Sequence, residues 1–310
     1  MSTRPIIFST CWYQFKCKND PTTFQQWMHN MLSNVEEYYL VIYTDNNSES
    51  YVRPYADANP QRIRIVIKPM EEFYGYRYKD HWICNHTWNY LLNHRVEWNV
   101  NMLWAEKIHF VCETIENRYF MENHADTDVN TNADTYTNAD TDVNANANTN
   151  ANTQYYGWCD IGYFRCRPGM DFTREQLVGW GHPEKVQQLN IKKIHYACVN
   201  NDKQYINQLV RCVNHRGENG LPVEPIPPNQ TSVAGGFFVG GVEVLMWWRA
   251  KFDETLQKYF ENGYLVKDDQ IIVADCVYSN MSRFVLHKET TEYDNWFMFQ
   301  RILGMACIEK

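Results

Sequence analysis

Short apolar runs alternate with polar turns and a helical stretch in the first seventy residues. Residues 6–10, 39–43 and Ile63–Ile67 are such runs, and each is typical of a strand buried on both faces. Between the first two, residues 24–34 place large apolar side chains at helical spacing. The order strand, helix, strand, turn, strand predicts a parallel sheet with crossover connections.

A helical pattern follows from residue 82 to residue 119. One apolar stripe repeats there at spacings of three and four residues: Val100, Trp104, Ile108, Val111, Ile115 and Tyr119. Glu106 and Lys107 lie off this stripe. A lysine in that position is most often part of a solvated helix face, and it is otherwise a candidate contact to a diphosphate or a sugar.

A further apolar run, Tyr155-Tyr156-Gly157-Trp158-Cys159, ends at Asp160, with Gly162 two residues later. The run predicts a buried strand with a carboxylate at its carboxyl end, where open α/β sheets bind their ligands. The glycine permits close approach of a ligand or another backbone segment. A single acidic residue in this place is more often simply the first residue of a turn.

The remaining chain predicts a strand at 195–199, a helix at 203–212, helices at 243–261 and 268–278, a strand at 283–287 and a last helix at 296–303. Directly before the helix predicted at 243–261 stands the motif Gly235-Gly236-Phe237-Phe238-Val239-Gly240-Gly241. The four glycines in this motif indicate that a ligand or another segment of the chain approaches the backbone closely. We expect Gly235, Gly236 and Phe238 to bind a sugar acceptor; the alternative is a tightly packed strand beside a helix.

Charge and cysteine content restrict the class of protein. The 310 residues include 37 acidic and 29 basic ones, and without a long basic run nucleic acid is not the expected main partner. The ten cysteines form no C-x-x-C pair, which disfavours zinc and fits reduced thiols. No signal-peptide core and no apolar run long enough for a transmembrane segment occur, so we expect a cytoplasmic protein.

Residues 123–154 form a low-complexity segment of Asn, Asp, Thr and Ala repeats without lysine or arginine. Such a composition buries too little apolar surface to offset its ordering entropy, which predicts a disordered insertion. Its Asp-Thr-Asp units are similar to the start of an EF-hand loop, but the glycine and final glutamate of that loop are missing.

Three features in order, namely Asp160 at a strand end, the motif 235–241 and Asp268-Asp269-Gln270 at a helix start, resemble a GT-A-type glycosyltransferase. The chain resembles the HtrL/YibB (WlaTC-like) family in particular, also through residues 6–13, 40–45 and 101–110. The resemblance covers most of the chain outside the insertion. It implies one GT-A-like α/β domain over residues 1–310, with a mostly parallel twisted sheet flanked by helices.

The resemblance also implies transfer of a hexose or related sugar to a glycan acceptor. The donor would be a nucleotide sugar, with UDP-sugar the first choice and GDP-sugar the second. GT-A enzymes usually hold a divalent metal with an Asp-x-Asp motif, but here Gly162 replaces the second acid. We expect Mn²⁺ or Mg²⁺ on Asp160, with His287 as a further ligand or as a mere surface histidine at a strand end. Lys107 and nearby arginines are the alternative means of neutralising the diphosphate.

Further site residues follow from strand and helix ends. Thr10, Thr44 and Asp45 end the first two strands, where nucleotide contacts are expected, although turn chemistry explains the same residues. Asp268 and Asp269 are candidate general bases, with Asp269 preferred, or an N-cap and a first-turn acid that complement the helix dipole.

Two rival functions stand beside this one, and the missing second acid motivates the first of them. The first is a catalytically inactive glycan- or nucleotide-sugar-binding module with the same fold. The second is a nucleotidyltransferase, which would use a similar sheet and metal. The stereochemistry of transfer is not assigned by the sequence.

Overall fold

Seven strands form one sheet in the order β3-β2-β1-β4-β6-β5-β7. The computed structural model describes residues 4–16, 21–121, 154–165, 172–289 and 294–304. The strands are β1 (Ile7–Trp12), β2 (Tyr39–Thr44), β3 (Ile63–Ile67), β4 (Tyr155–Cys159), β5 (Ile194–Ala197), β6 (Phe237–Gly241) and β7 (Phe284–His287). Only β6 runs antiparallel to its neighbours in this sheet. The predicted α/β class with a mostly parallel sheet is confirmed.

Helices connect and cover the strands. They are α1 (Pro21–Leu32), α2 (Arg53–Ala58), α3 (Lys79–Trp88), α4 (Trp98–Ala105), α5 (Lys107–Glu116), α6 (Arg174–Val178), α7 (Pro183–Val186), α8 (Lys203–Asn214), α9 (Val242–Glu261), α10 (Asp269–Ser279) and α11 (Met298–Ile302). Short 3₁₀ turns occupy Glu49–Tyr51, Met70–Glu72, Tyr74–Tyr78, Met281–Arg283 and Asn295–Phe297. In the described ranges no helix combines the length and the apolar character needed to cross a bilayer.

Apolar side chains are buried on both faces of the sheet. Along β2, Val41 and Tyr43 pack in one cluster with residues of α5 and α9, whereas Leu40 and Ile42 pack in a second cluster with residues of α1. Successive side chains of a strand point to opposite faces, so the two clusters lie on the two sides of the sheet. This two-sided burial explains why the strands are continuous apolar runs rather than alternating ones.

The predicted helical region 82–119 is divided into three helices, with a non-helical segment at 89–97 and a break at Glu106. Val100, Ile108 and Val111 of the predicted stripe are buried. The solvated-face alternative does not describe Lys107. Glu106 is fully buried and Lys107 is 8% exposed, because both charges have partners from distant parts of the chain.

The reversed direction of β6 brings the glycine pair to Asp160. The amino end of β6 lies at the edge where the other strands have their carboxyl ends, and the Asp160 amide donates to the Gly236 carbonyl at 2.9 Å. Gly157 permits the close pairing of β4 and β6, since a Cβ at this position would lie 2.5 Å from the Phe238 carbonyl oxygen. Predicted site residues distant in sequence therefore meet at one sheet edge.

The predicted insertion 123–154 lies outside the described residues except for Gln154, so its disorder stays a prediction. Both of its flanks lie at the same corner of the sheet. Gln154 is buried and donates through Nε2 to the Pro5 carbonyl at 2.7 Å, just before β1. On the other flank, the Phe120 ring stacks 4.7 Å from the ring of Tyr39, the first residue of β2. Tyr39 in turn pairs with Ile7 of β1.

Candidate functional site

A cleft of about 530 Å³ opens at the sheet edge that holds Asp160, a size typical of small-molecule sites. Aromatic residues form much of its wall, among them Trp12, Tyr13, Trp104 and Trp158. Six charged side chains of both signs also line it: Asp160, Asp268, Asp269, Lys107, Arg165 and Lys267. The cleft thus combines flat apolar surface with charges that orient a polar ligand.

The ammonium group of Lys107 lies at the centre of these charges. Its Nζ donates to the Gly235 carbonyl at 2.7 Å and lies 3.1 Å from Asp269 Oδ2 and 3.3 Å from Asp160 Oδ1. Lysine has three N–H donors, so these three oxygens use all of them. Burial opposes the charge of Lys107, but the two carboxylates outweigh burial and raise the lysine pKa.

Asp160 begins the turn after β4. Its Oδ1 accepts a hydrogen bond from Trp158 Nε1 at 2.7 Å in addition to the Lys107 contact. Its backbone carbonyl accepts from the Tyr163 amide at 2.8 Å, which closes the turn. A Cβ on Gly236 would lie 3.1 Å from Asp160 Oδ2, so the glycine leaves room for this carboxylate.

Asp268 and Asp269 stand at the start of α10. Burial raises the pKa of Asp269 to about 6; Lys107 opposes this shift, while Asp268 and Asp160 add to it. Asp268 has the extended backbone of an N-cap, but its side chain makes no capping hydrogen bond. Asp268 Oδ2 instead pairs with Lys267 Nζ at 3.0 Å. The raised pKa gives Asp269 a carboxylate basic enough to accept a proton near neutral pH.

Glu106 fixes the helix break next to Lys107. Its carboxylate accepts hydrogen bonds from the backbone amides of Tyr74 at 2.6 Å and Gly75 at 2.9 Å. Burial raises the pKa of Glu106, and the two amides and nearby cations oppose that rise. This contact ties the turn Tyr74–Tyr78 to the junction of α4 and α5, and so positions the lysine that follows.

Thr10, Thr44 and Asp45, expected to bind the donor, do not line the cleft. Thr10 is buried within β1, two residues before the strand ends. Thr44 donates through Oγ1 to the Trp12 carbonyl at 2.6 Å, and Asp45 accepts from the Ser48 amide at 2.7 Å. The turn-chemistry alternative therefore describes Thr44 and Asp45, and Thr10 is a core residue.

Two of the three expected acceptor residues, Gly235 and Gly236, line the cleft beside the acidic groups. Phe238 does not line it. Its ring is buried against Tyr196 at 5.5 Å, on a sheet face, because its position in β6 turns it into the core. The glycine motif is thus both a buried strand and, at its amino end, part of the cleft wall.

The residues expected to hold a divalent metal do not fit that role. His287 does not line the cleft; its Nε2 lies 2.8 Å from His195 Nδ1, and burial and then His195 lower its pKa to about 4. Asp160 and Asp269 already share the Lys107 ammonium group. Across the described ranges no group of three or more His, Cys, Asp or Glu side chains is arranged to hold a metal.

Sequence reasoning assigned no role to Arg165, Lys267 or Trp158, all of which line the cleft. Trp158 stands inside the predicted strand that ends at Asp160, and Lys267 directly precedes Asp268, so the neighbouring acidic residues were the signal that could have identified them. Arg165 follows Gly162 by three residues and donates through Nε to the Gly162 carbonyl at 2.8 Å. Nothing in its local pattern distinguishes it from a surface arginine.

No family model and no curated protein matches this chain. Among solved structures, the chain is similar to the crystal structure of mouse xyloside xylosyltransferase 1 in its apo form. The alignment covers 91% of this chain and 86% of that chain, with a TM-score of 0.45 and 9% sequence identity. The resemblance to the HtrL/YibB family stays a prediction, and the case for a function comes from the cleft.

Proposed function

We propose that this protein is a GT-A-type glycosyltransferase that moves a hexose or related sugar from a nucleoside-diphosphate donor to a hydroxyl of a glycan acceptor. One observation carries the proposal: Asp160, Asp269 and Gly235 converge on the buried Lys107 in a cleft at the carboxyl edge of a mostly parallel sheet. This edge is where open α/β sheets bind nucleotides.

Asp269 is the general base of the proposed reaction. It accepts the proton of the acceptor hydroxyl, whose oxygen then bonds to the anomeric carbon of the donor sugar. The bond from that carbon to the diphosphate oxygen breaks, and its electron pair leaves with the nucleoside diphosphate. Such a single displacement inverts the anomeric centre and needs a positioned base. The Lys107 contact on Oδ2 holds Asp269 in place, and no donor among the described side chains reaches Oδ1.

The cleft wall suits the other parts of the substrates. Its volume of about 530 Å³ falls in the range that holds small ligands. Flat aromatic walls such as Trp12 and Trp104 give a base or a sugar ring an apolar face to pack on. The carboxylates of Asp160 and Asp268 are acceptors for sugar hydroxyl groups.

A donor panel tests the proposal. Purified protein is incubated with UDP- and GDP-hexoses and a mixture of oligosaccharides, with and without Mn²⁺, and products are identified by mass spectrometry. We expect release of nucleoside diphosphate and an acceptor enlarged by one sugar, both strongly reduced in Asp269→Asn. A uridine diphosphate compound at about 100 times its Kd should also stabilise the protein by about 2.7 kcal/mol.

The outcomes separate the candidate functions. Donor binding without any transfer would identify an inactive nucleotide-sugar-binding module, and glycan binding without nucleotide binding would identify a glycan-binding one. Transfer of the nucleotide with release of pyrophosphate would identify a nucleotidyltransferase. The matched control is Asp57→Asn, because Asp57 is an exposed aspartate of α2 outside the cleft.

A further inference from the structure

The cations of the cleft differ in how they are paired. Lys107 has committed its three donors to Gly235, Asp160 and Asp269, and Lys267 pairs with Asp268 at 3.0 Å. Arg165 lines the same cleft, and no carboxylate in the described ranges lies within ion-pairing distance of it. Of the three cations that line the cleft, Arg165 is therefore the one whose guanidinium has no carboxylate partner in the described ranges.

The surroundings of Arg165 hold its guanidinium in one orientation. Nε donates to the Gly162 carbonyl at 2.8 Å. The guanidinium carbon lies 4.5 Å from the ring centre of Trp27 and 5.4 Å from that of Phe297, both within stacking distance. A planar guanidinium fixed in this way keeps its two terminal nitrogens for a ligand, and their fork matches two phosphate oxygens.

Burial makes an anion at this place favourable. Arg165 is half-buried, and burial lowers its pKa while the nearby Asp160 opposes that change. A partly desolvated cation gains more from an anionic partner than an exposed one does. Asp160 contributes attraction but does not form an ion pair with Arg165, so the terminal nitrogens of the guanidinium are left for an anionic ligand.

We propose that Arg165 binds the diphosphate of the donor, and that the cleft needs no divalent cation to do so. The proposal rests on the proposed function for the identity of the ligand as a nucleoside diphosphate. A metal between Asp160 and Asp269 would have to displace the Lys107 ammonium, which already neutralises both carboxylates. In this proposal Lys107 neutralises the carboxylates of Asp160 and Asp269, and Arg165 forms the contact to the phosphates that a metal ion would otherwise make.

Calorimetric titration with uridine diphosphate, in one buffer with Mn²⁺ and in another with EDTA, tests both the Arg165 contact and the independence from a divalent cation. We expect the same affinity in both buffers, and a loss of about tenfold to hundredfold in Arg165→Gln, as expected when a charged hydrogen-bonded pair is removed. Arg165→Lys should recover only part of the affinity, because an ammonium cannot form the two parallel bonds. Binding of uridine, which lacks phosphate, should not change in either variant.

The matched control is Arg283→Gln. Arg283 is an exposed arginine whose guanidinium carbon lies 5.3 Å from the Trp247 ring, so it has the same stacking but lies outside the cleft. Circular dichroism and melting curves of each variant show whether it is folded. If Arg165→Gln does not fold, Arg165→Lys and the comparison of Mn²⁺ with EDTA still decide the question.

The outcomes also separate this inference from the proposed function. Binding that needs Mn²⁺, or that is unchanged in both Arg165 variants, would overturn the inference and leave a nucleotide-binding enzyme. Absence of binding by uridine and guanosine diphosphates in either buffer would overturn both. Inorganic pyrophosphate that binds as tightly as uridine diphosphate, with the same dependence on Arg165, would support the phosphate contact and count against a nucleotide donor.

Discussion

Lys107 and Asp269, far apart in the chain, form a buried ion pair in which Nζ lies 3.1 Å from Oδ2. The two side chains keep only 10% and 9% of their surface exposed. Because water screens such a pair poorly, each charge depends on the other for neutralisation. Asp160 shares the same ammonium at 3.3 Å, so one cation serves two carboxylates. Stability and chemistry are therefore coupled at this point of the molecule.

Replacing Lys107 with methionine should destabilise the protein by about 3–5 kcal/mol, because it leaves buried carboxylates without a cation. Urea unfolding at neutral pH measures the change. Adding Asp269→Asn to Lys107→Met should restore part of the loss, since one of the unpaired charges is removed. The control is Lys258→Met: its exposed pair with Glu254 at 2.7 Å is worth at most about 1 kcal/mol. Equal losses in the two lysine variants would contradict a buried ion pair.

The transfer rate should fall with acid pH as Asp269 becomes protonated. Its pKa is raised to about 6, so the base is ionised above that pH and is lost below it. We expect a fall of about tenfold per pH unit in kcat/KM below pH 6, absent in the residual activity of Asp269→Asn. The same shift makes the folded protein bind a proton more tightly than the unfolded chain. Its stabilising contribution is full below the ordinary aspartate pKa and disappears as the pH rises through about 6.

Asp160→Asn should reduce transfer by about tenfold to hundredfold while the protein stays folded, because the charged acceptor proposed for a sugar hydroxyl is lost. The asparagine oxygen still accepts from Trp158 Nε1, so the turn after β4 is preserved. The negative charge of Asp160 contributes to the raised pKa of Asp269, and its removal should move the acid limb of the pH profile to lower pH. Circular dichroism together with the pH profile measures both effects. A folded variant with nearly normal turnover would remove Asp160 from the site.

Deleting residues 126–153 should leave the melting temperature and the activity close to those of the full chain. The flanks are already near one another. Phe120 stacks on Tyr39 of β2, and Gln154 donates to the carbonyl of Pro5, which lies just before the neighbouring strand β1. Loop length changes closure entropy slowly, by about 0.6 kcal/mol per doubling, so a short connection suffices. A large drop in solubility or in melting temperature would show that the segment packs on the domain.

The position of the cleft was predictable from the sequence because strand ends obey a simple rule. Apolar runs marked the strands, and parallel strands present their carboxyl ends at one edge, which placed Asp160 there. The glycine pair reaches the same edge only because β6 runs antiparallel to β4, and no local pattern indicated that direction. Asp269 followed from its place at the start of a helix. These predictions needed only local patterns and the rule on sheet edges.

The partners of Lys107 were not predictable, because helical periodicity reports only the apolar face of a helix. Lys107 and Glu106 lie off the stripe, yet segments from elsewhere cover them and supply their partners. The prediction that Phe238 lines the site was wrong for a related reason. Phe237 and Phe238 are buried on opposite faces of β6, and neither ring lines the cleft. Alternation along the strand could not show this, because both faces of the sheet are covered.

The partners of Lys107 come from three separate segments, and this has a kinetic consequence. Gly235 lies 128 positions from Lys107 in the chain, and Asp269 lies beyond it. Contacts between such distant positions form slowly, since the loop-closure entropy is lost before the contacts compensate for it. A nascent chain that ends before α10 has its cleft lysine but neither Asp269 nor the start of that helix. Nucleotide binding therefore reports completion of folding, and it can serve as a probe for partly folded forms during refolding.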